Sequence, residues 1–355
     1  VEKIEELFSE LDNGVESLKK ARKQLKTYRQ AVLKYAFEGK LTKEWREQQI
    51  QAGNPPESAE KLLARIKKER ETQYQKQVEA WQKACEQAKK DGSKKPSKPK
   101  KPKELPPLTK KELAELPEIP EGWGWVRIDH IGDIETGTTP SKKTSENYGN
   151  DYPFYKPTDL NKGNNVRDAR DSLSKTGYLE ARVAPINSIL VTCIGATIGK
   201  TGIIRKEGAF NQQINAIIPF DNVIPDYVYY QVLCPFFQKQ IVHNASSTTL
   251  PILNKSKFEK LVLSLTSYEE QNEIVSEIES RLSVCDQLEQ TIEDSLKKAE
   301  GLRQSILKKA FEGELTREWR EAHPELVSGE NSAESLLARI QAEKEKNSPQ
   351  RRRGR

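Results

Sequence analysis

"RQAVLKYAFEGKLTKEWRE" (Arg29–Glu47) returns 274 residues later as "RQSILKKAFEGELTREWRE" (Arg303–Glu321), with fourteen of nineteen positions identical. "SAEKLLARI" from Ser58 returns as "SAESLLARI" from Ser332 at the same offset. Self-similarity at a fixed distance marks a duplicated structural unit. Upstream of the first copy, Ile4, Leu11, Leu18, Leu25 and Val32 recur every seven residues, with Leu7, Ala21 and Tyr28 on a neighbouring seam. In the same frame the second copy has Ile278, Cys285, Ile292, Ala299 and Ile306, flanked by Leu288 and Leu302. This heptad spacing predicts two long helices packed as a coiled coil, stopped by Gly39 and Gly313.

Two equivalent helices from one chain can pair antiparallel about a pseudo-two-fold axis. A helix of about 40 residues is a rod of roughly 60 Å. Ser267 followed by Glu270 is a capping box that opens the second helix. Its counterpart in the first copy would precede Val1, and the chain contains no Met, so the sequence is expected to be an excerpt with a further globular unit upstream. From Ser58 to Lys90 a third helix is expected, with Leu63, Ile66, Tyr74, Val78, Trp81 and Cys85 near helical spacing. "DGSKKPSKPKKPKELPP" then stops it as a Pro/Lys-rich extended linker.

Between the linker and the second helix lies a compact stretch, 123–266. It offers short strands ("SILVTCI", "TGIIRK", "INAIIPF", "KLVLSL"), a helix expected over Asp226–His243 and several Gly/Pro/Asn turns. The fold class is therefore α+β: a globular domain with short strands and helices, plus two long repeat helices. The expected plan is a first repeat helix (1–40, entered partway), a helical extension (41–90), a linker (91–122), the globular domain (123–266), a second repeat helix (267–313), its extension (314–346) and a basic tail (347–355).

At 355 residues the chain suits two or three domains. The four cysteines are scattered with no CxxC, which points to a reducing cytoplasm without disulfides or a zinc site. The three histidines are far apart, no cofactor or metal is implied, and no apolar run approaches the ~18 residues of a membrane span. The net charge of +6 is unevenly placed. Gln87–Lys103 holds eight Lys and one Asp, and the tail "RRRGR" adds four more positive charges.

Two stretches imitate catalytic motifs. "SILVTCIGATIGKTG" (Ser188–Gly202) resembles a phosphate loop, yet three residues separate Gly195 from Gly199 where that signature needs four. The residues after it read as a hairpin rather than a helix. "NPPE" (Asn54–Glu57) resembles the Asn-Pro-Pro-aromatic turn of adenine methyltransferases, but Glu57 stands where a ring must stack on a flipped base. A nucleotide-binding protein using the GATIGKT loop, or a pure coiled-coil adaptor, are the alternatives left open by the residues alone.

In order along the chain, "LPEIPEGWGWVRI", "TGTTPS", "GATIGK", "AFNQQINAI", "TTLPILNKSKFEKLVLSL", "EEQNEIV" and the repeated "AFEGxLT.EWR" resemble the specificity subunits of type I restriction–modification systems. The resemblance spans nearly all of the chain outside Glu71–Lys103. It implies a non-catalytic subunit in which each target-recognition domain reads one half of a bipartite duplex DNA site. The repeat helices, as an antiparallel coiled coil, space the two domains. It also implies two methyltransferase (M) subunits, which modify adenine N6, and restriction (R) subunits as partners. This chain holds both repeat helices and one recognition domain, so a self-dimer of such a half subunit is a further partner to consider.

Base-reading residues cannot be placed by motif, so DNA-contact candidates come from polar loop chemistry: side chains that reach groove edges, with Lys and Arg for phosphates. They are Thr138, Thr139, Ser141, Lys142 and Lys143 in one exposed loop, and Tyr155, Lys156 and Asp159 in a second. Thr248, Thr249, Asn254 and Lys255 form the third. Gln212, Gln213 and Asn215 read better as a structural hydrogen-bond network, and Trp123 and Trp125 as packing anchors. Phe37 and Trp45, with their equivalents Phe311 and Trp319, are candidate duplicated docking surfaces for the two M subunits.

Overall fold

The computed structural model of the protein describes residues 1–99, 101, 104–246 and 250–347. The expected basic tail falls, beyond residue 347, outside the described residues. In chain order, α1 (Glu2–Phe37), α2 (Lys43–Gln51) and α3 (Ala59–Asp91) are followed by the short α4 (Lys110–Ala114). Strands β1 (Gly124–Arg127), β2 (Gly132–Thr136), β3 (Tyr148–Tyr155) and β4 (Asp171–Leu173) precede α5 (Lys175–Glu180). Then come β5 (Val183–Ala184), β6 (Ile189–Thr192), β7 (Thr201–Ile203), β8 (Gly208–Phe210) and β9 (Ile214–Pro219). The chain continues through α6 (Pro225–Leu233), α7 (Pro235–Asn244), α8 (Lys255–Phe258) and β10 (Val262–Leu265). It ends with α9 (Tyr268–Phe311), α10 (Arg317–Ala322) and α11 (Ala333–Asn347). The α+β fold class read from the sequence is the one found.

The chain forms two compact units, one of Thr27–Cys285 and one combining Val1–Lys26 with Asp286–Arg355. In the larger unit, β2-β9-β6-β7 form an antiparallel sheet, and β4-β3-β8-β5 form a second sheet in which β3 and β8 run parallel. β1 pairs with β10 from Gly124↔Leu265 to Arg127↔Val262, so the two ends of the α/β body leave side by side. Ile189, Val191, Ile203, Ile217, Tyr227, Val228 and Phe237 build one continuous core with Val32, Leu33, Ala36 and Phe37 of α1, Leu62 and Ile66 of α3, and Ile274 and Ile278 of α9. The expected single helix over Asp226–His243 is two helices. Pro235 has no N–H to donate and drives Cys234 to ψ 140, outside the helical region, so the chain bends there.

The helix pair is antiparallel: within this unit Thr42 meets Glu270, while Tyr28 lies beside Arg281. In the smaller unit, Arg303 of α9 pairs with Asp12 of α1 at 3.1 Å, its guanidinium lying 4.7 Å from the Phe8 ring centre. The main heptad seam is buried at Ile278, Cys285, Ile292 and Ile306. On the neighbouring seam Leu7 and Ala21 are half-buried, whereas Tyr28, Leu288 and Leu302 are exposed, so the second stripe is covered only in part.

Ser267 opens α9 as expected, its Oγ accepting from the Glu270 N–H at 3.1 Å. The reciprocal half of the capping box is absent, because the Glu270 carboxylate is turned inward. There it accepts from Thr42 Oγ1 (2.8 Å), Arg46 Nη2 (2.7 Å), Trp123 Nε1 (2.8 Å) and Thr266 Oγ1 (2.7 Å). Glu270 is 1% exposed, so this clasp is a fully buried charge satisfied by one guanidinium and three neutral donors. It joins the first repeat copy, the beginning of the α/β body and the start of α9. Gly39 is required beside it: at φ +71 an added Cβ would sit 2.2 Å from Pro120 Cγ.

Candidate nucleic-acid interface

The strand directions of the four-stranded sheet put the end of β2, the start of β9, the end of β6 and the start of β7 at one edge. The register fixes this: Thr136↔Asn215, Thr192↔Ile214 and Val191↔Thr201. The parallel pair β3 and β8 ends at the same place, with the Asn211 N–H donating to the Tyr155 carbonyl at 3.1 Å. Loops 137–144, 193–200, 211–213 and 250–255 therefore gather at one end of the body. The last of these is tied in by the Leu253 N–H to the Cys193 carbonyl at 2.8 Å and the Gly195 N–H to the Pro251 carbonyl at 3.0 Å.

Thr138 and Thr139 stand on this end. The Thr138 hydroxyl accepts from the Arg182 N–H at 2.7 Å, and the Thr139 hydroxyl donates to Gln212. Gly137 lets this loop lie against the next strand; a Cβ there would be 2.2 Å from the Asn211 carbonyl oxygen. Ser141, Lys142 and Lys143 are exposed, and neither lysine has an ion-pair partner among the described residues. Lys156 pairs with Asp171 at 2.7 Å. Lys255 lies 4.0 Å from Glu135 and 3.6 Å from Glu259. Asn254 spends its side chain capping α8, accepting from the Lys257 N–H at 3.0 Å. Thr248 and Thr249 lie outside the described residues.

Two candidates are corrected. Tyr155 is not in an exposed loop: it is the last residue of β3, fully buried, and its hydroxyl donates to the Lys206 carbonyl at 2.9 Å. The end of β3 is covered on both faces, Phe154 packing with Leu173 and Ala209 and Tyr155 with Leu190 and Phe210, so the ring is out of reach of any ligand. Asp159 is likewise buried and acts as a turn fastener, accepting from the N–H groups of Lys156 (2.8 Å) and Arg170 (3.1 Å). Asn215 is buried and accepts from the Thr136 hydroxyl at 2.7 Å, in keeping with the structural reading. Gln212 by contrast is exposed beside Thr139.

Sequence reasoning missed Glu135 and Arg182. Glu135 holds the Arg182 guanidinium directly and the Lys255 ammonium at longer range, in the middle of the candidate end. Nothing in "LEARVAP" distinguishes Arg182; only the pairing of the sheets brings it there.

The glycine turn is closed on itself. Gly195 and Gly199 have φ +99 and +85, and the N–H groups of Ile198, Gly199 and Lys200 are bonded to the carbonyls of Gly195, Thr192 and Thr197. Gln238 bonds the Gly199 carbonyl at 3.0 Å, and a Cβ on Gly199 would meet its Oε1 at 2.3 Å. With the Gly195 N–H bonded to the Pro251 carbonyl, four of the turn's backbone donors are used within the fold and are not offered to a phosphate. At "NPPE", Glu57 pairs with Arg65 at 2.9 Å, and the turn leads into Ser58, which caps α3.

The expected equivalence of the docking aromatics does not hold. Phe37 is buried, its ring edge-on to Tyr227 at 5.6 Å, because the α/β body has closed over it. A side chain in that position has no surface to offer a partner. Phe311 is 90% exposed. Trp45 is half-buried, whereas Trp319 is 50% exposed and stacked on His323 at 4.9 Å.

No helix among the described residues is long and apolar enough to cross a membrane, and they include no group of three or more His, Cys, Asp or Glu side chains placed to hold a metal ion. Residues 120–298 match the family described as the type I restriction modification DNA specificity domain. The chain belongs to that family. Its relatives include the EcoBI specificity subunit of Escherichia coli, 37% identical over 161 residues (44% of this chain, 34% of that protein). The EcoDI specificity subunit of Escherichia coli is 27% identical over 345 residues (97% and 66%), and the HindI subunit of Haemophilus influenzae 33% over 201 residues (55% and 42%). The chain thus spans between about a third and two thirds of these relatives' lengths. Among solved structures it is similar to the HsdS subunit from Thermoanaerobacter tengcongensis, with a TM-score of 0.40, 19% identity, and coverage of 72% of this chain and 56% of that one.

Proposed function

We propose that this chain is a non-catalytic DNA-recognition module that reads one half of a bipartite duplex sequence, and that it positions methyltransferase (M) and restriction (R) subunits which perform the chemistry on adenine N6 and on the backbone. The observation that carries the reading is the convergence of polar loops at one end of the sheet, in a chain of the DNA specificity family. Thr139 and Gln212 offer hydroxyl and amide groups suited to base edges, and Lys142 and Lys143 are free to meet phosphates. Arg182 and Lys255 share one carboxylate and can exchange it for phosphate or guanine as the duplex approaches. The body 123–266 is the recognition domain in this plan, and the helix pair is the spacer. Work of this kind belongs in the cytoplasm, where the cell's DNA is accessible.

The second repeat copy, with Phe311 and Trp319 exposed, is the docking place for a partner. A counterpart recognition domain, supplied by a longer chain or by a second half subunit, fits this role better than an M subunit. Its template is the first copy, which holds a recognition domain on the same motif. Trp45 keeps a partly open edge for M-subunit docking.

The test is methylome sequencing after co-expression with the cognate M subunit. Replacing residues 123–266 with the domain of another specificity subunit is expected to change one half of the methylated motif and leave the other half and the spacing intact. An unchanged motif would refute the reading.

A further inference from the structure

The helix α3 outgrows the body it packs on. Leu62 and Ile66 are buried, Arg70 lies 4.2 Å from the Phe220 ring centre, and Gln73 reaches Asp221 at 3.3 Å. The helix then continues to Asp91, where Gly92 at φ +67 ends it. The chain returns alongside. Trp81 Nε1 donates to the Pro96 carbonyl at 2.8 Å, and Cys85 and Ala88 are buried. At the base of the return, Glu104 pairs with Lys67 at 3.2 Å and the Leu105 N–H donates to Asp129 at 2.7 Å. The result is an out-and-back arm, clasped at its foot and its middle.

This arm carries a dense excess of positive charge. Gln87–Lys103 has eight Lys and one Asp, against sixteen Lys and Arg and thirteen Asp and Glu in 123–266. On the sheet end described above, Lys156, Arg182 and Lys255 each have a carboxylate partner. Lys94, Lys95, Lys98 and Lys101 are exposed and have none among the described residues. Two of them are nonetheless held in place: the ammonium groups of Lys95 and Lys98 lie 5.3 and 5.8 Å from the Trp81 ring centre. Pro96 and Pro99 favour the extended polyproline II conformation, in which residues three apart, as Lys95 and Lys98 are, share one side. A cluster of unpaired, mutually repelling cations, two of them fixed, is relieved by a polyanion and by little else.

We propose that the arm is a second nucleic-acid site, a sequence-independent holder of the phosphate backbone of duplex DNA. It supplies affinity, and the sheet end supplies discrimination. The proposal rests on the DNA-recognition reading only for the identity of the polyanion.

The experiment measures binding of the full chain, across a salt series, to a duplex carrying the methylome-derived motif and to a scrambled duplex. In the Lys94, Lys95, Lys98 and Lys101→Gln variant the slope of log affinity against log salt is expected to flatten by about 0.9 per lost phosphate contact, up to about 3.6 for all four. Both duplexes should weaken alike, leaving their ratio and the methylated motif unchanged. Trp81→Leu, which keeps every charge but removes the ring beneath Lys95 and Lys98, should flatten the slope by a smaller amount. Circular dichroism equal to the parent's confirms that the variants fold. An unchanged slope overturns the proposal, as does a loss confined to the motif duplex or tighter binding of single-stranded RNA than of the duplex. If the parent chain binds both duplexes equally with a steep slope, the half-site reading fails and the arm survives.

Discussion

Gly39, Thr42, Arg46, Leu62 and Ile66 have the equivalents Gly313, Thr316, Arg320, Leu336 and Ile340 in the second copy, with identical residue types. In the first copy the carboxylate of Glu270 completes the clasp, and Leu62 and Ile66 are 0% and 1% exposed. In the second, Arg320 Nη1 bonds Thr316 Oγ1 at 2.6 Å with no carboxylate joined to the pair among the described residues, and Leu336 and Ile340 are 49% and 44% exposed. The turn keeps the same backbone in both, with Gly39 at φ +71 and Gly313 at φ +80, and Thr42 and Thr316 at φ −105 and −115; beyond it α2 runs to Gln51, whereas α10 stops at Ala322. The motif thus folds from local sequence, and only the burial of its face depends on what is packed against it. The two copies are one socket, its face covered in the first and exposed in the second.

The comparison can be broken most sharply at the clasp. Arg46→Ala leaves the Glu270 carboxylate buried without its cation and is expected to cost about 3–5 kcal/mol in chemical denaturation. Arg320→Ala should change stability by less than about 0.5 kcal/mol. Equal effects would mean that the second socket is also filled. Next in size, Leu62→Ala should cost about 2–5 kcal/mol by opening a cavity, whereas Leu336→Ala, at an exposed site, should cost under about 0.5. The helix caps should show no asymmetry. Ser58 Oγ accepts from the Lys61 N–H at 3.4 Å and Ser332 Oγ from the Ser335 N–H at 3.2 Å. Ser→Ala at either site should cost about 1 kcal/mol of helix stability, read by hydrogen exchange in α3 and α11.

The smallest effect concerns α4. The backbone N–H of Thr109, then the Arg127 guanidinium and the Thr109 hydroxyl, hold the Glu112 carboxyl down at about 2, from an ordinary 4.5. A lowered carboxylate pKa contributes stability that is present above pH 4.5 and lost as pH falls through about 2. The Glu112 side-chain resonance should therefore titrate near pH 2, and α4 should remain formed at pH 4.

Much of this was legible in the sequence because it is local or periodic. The repeat, the buried heptad stripe, the Ser58 and Ser267 caps and the glycine stops all arise from residues within a turn or two of each other. The illegible part is non-local. Glu270 reads as a capping-box acid, but donors from residues 42, 46 and 123 outcompete the neighbouring N–H. Tyr155 and Asp159 sit among polar residues and read as loop, yet the pairing of β3 with β8 buries Tyr155, and the N–H groups of Lys156 and Arg170 draw the Asp159 carboxylate inward. Arg182 and Glu135 become neighbours only when β5 is laid beside β8 and β2 beside β9. Cys234 is the exception, since the proline after it announces the bend that the helical pattern conceals.

The clasp lies at the borders of the α/β body: Trp123 just before β1, Glu270 just after β10, and Arg46 in the repeat. Any gene exchange that cuts inside the repeats and carries both borders therefore imports a domain already fitted with its own fastening. The interior can diverge without renegotiating its seat. New specificities can then arise by splicing, as a tool takes a new bit, instead of by gradual repair of a damaged joint.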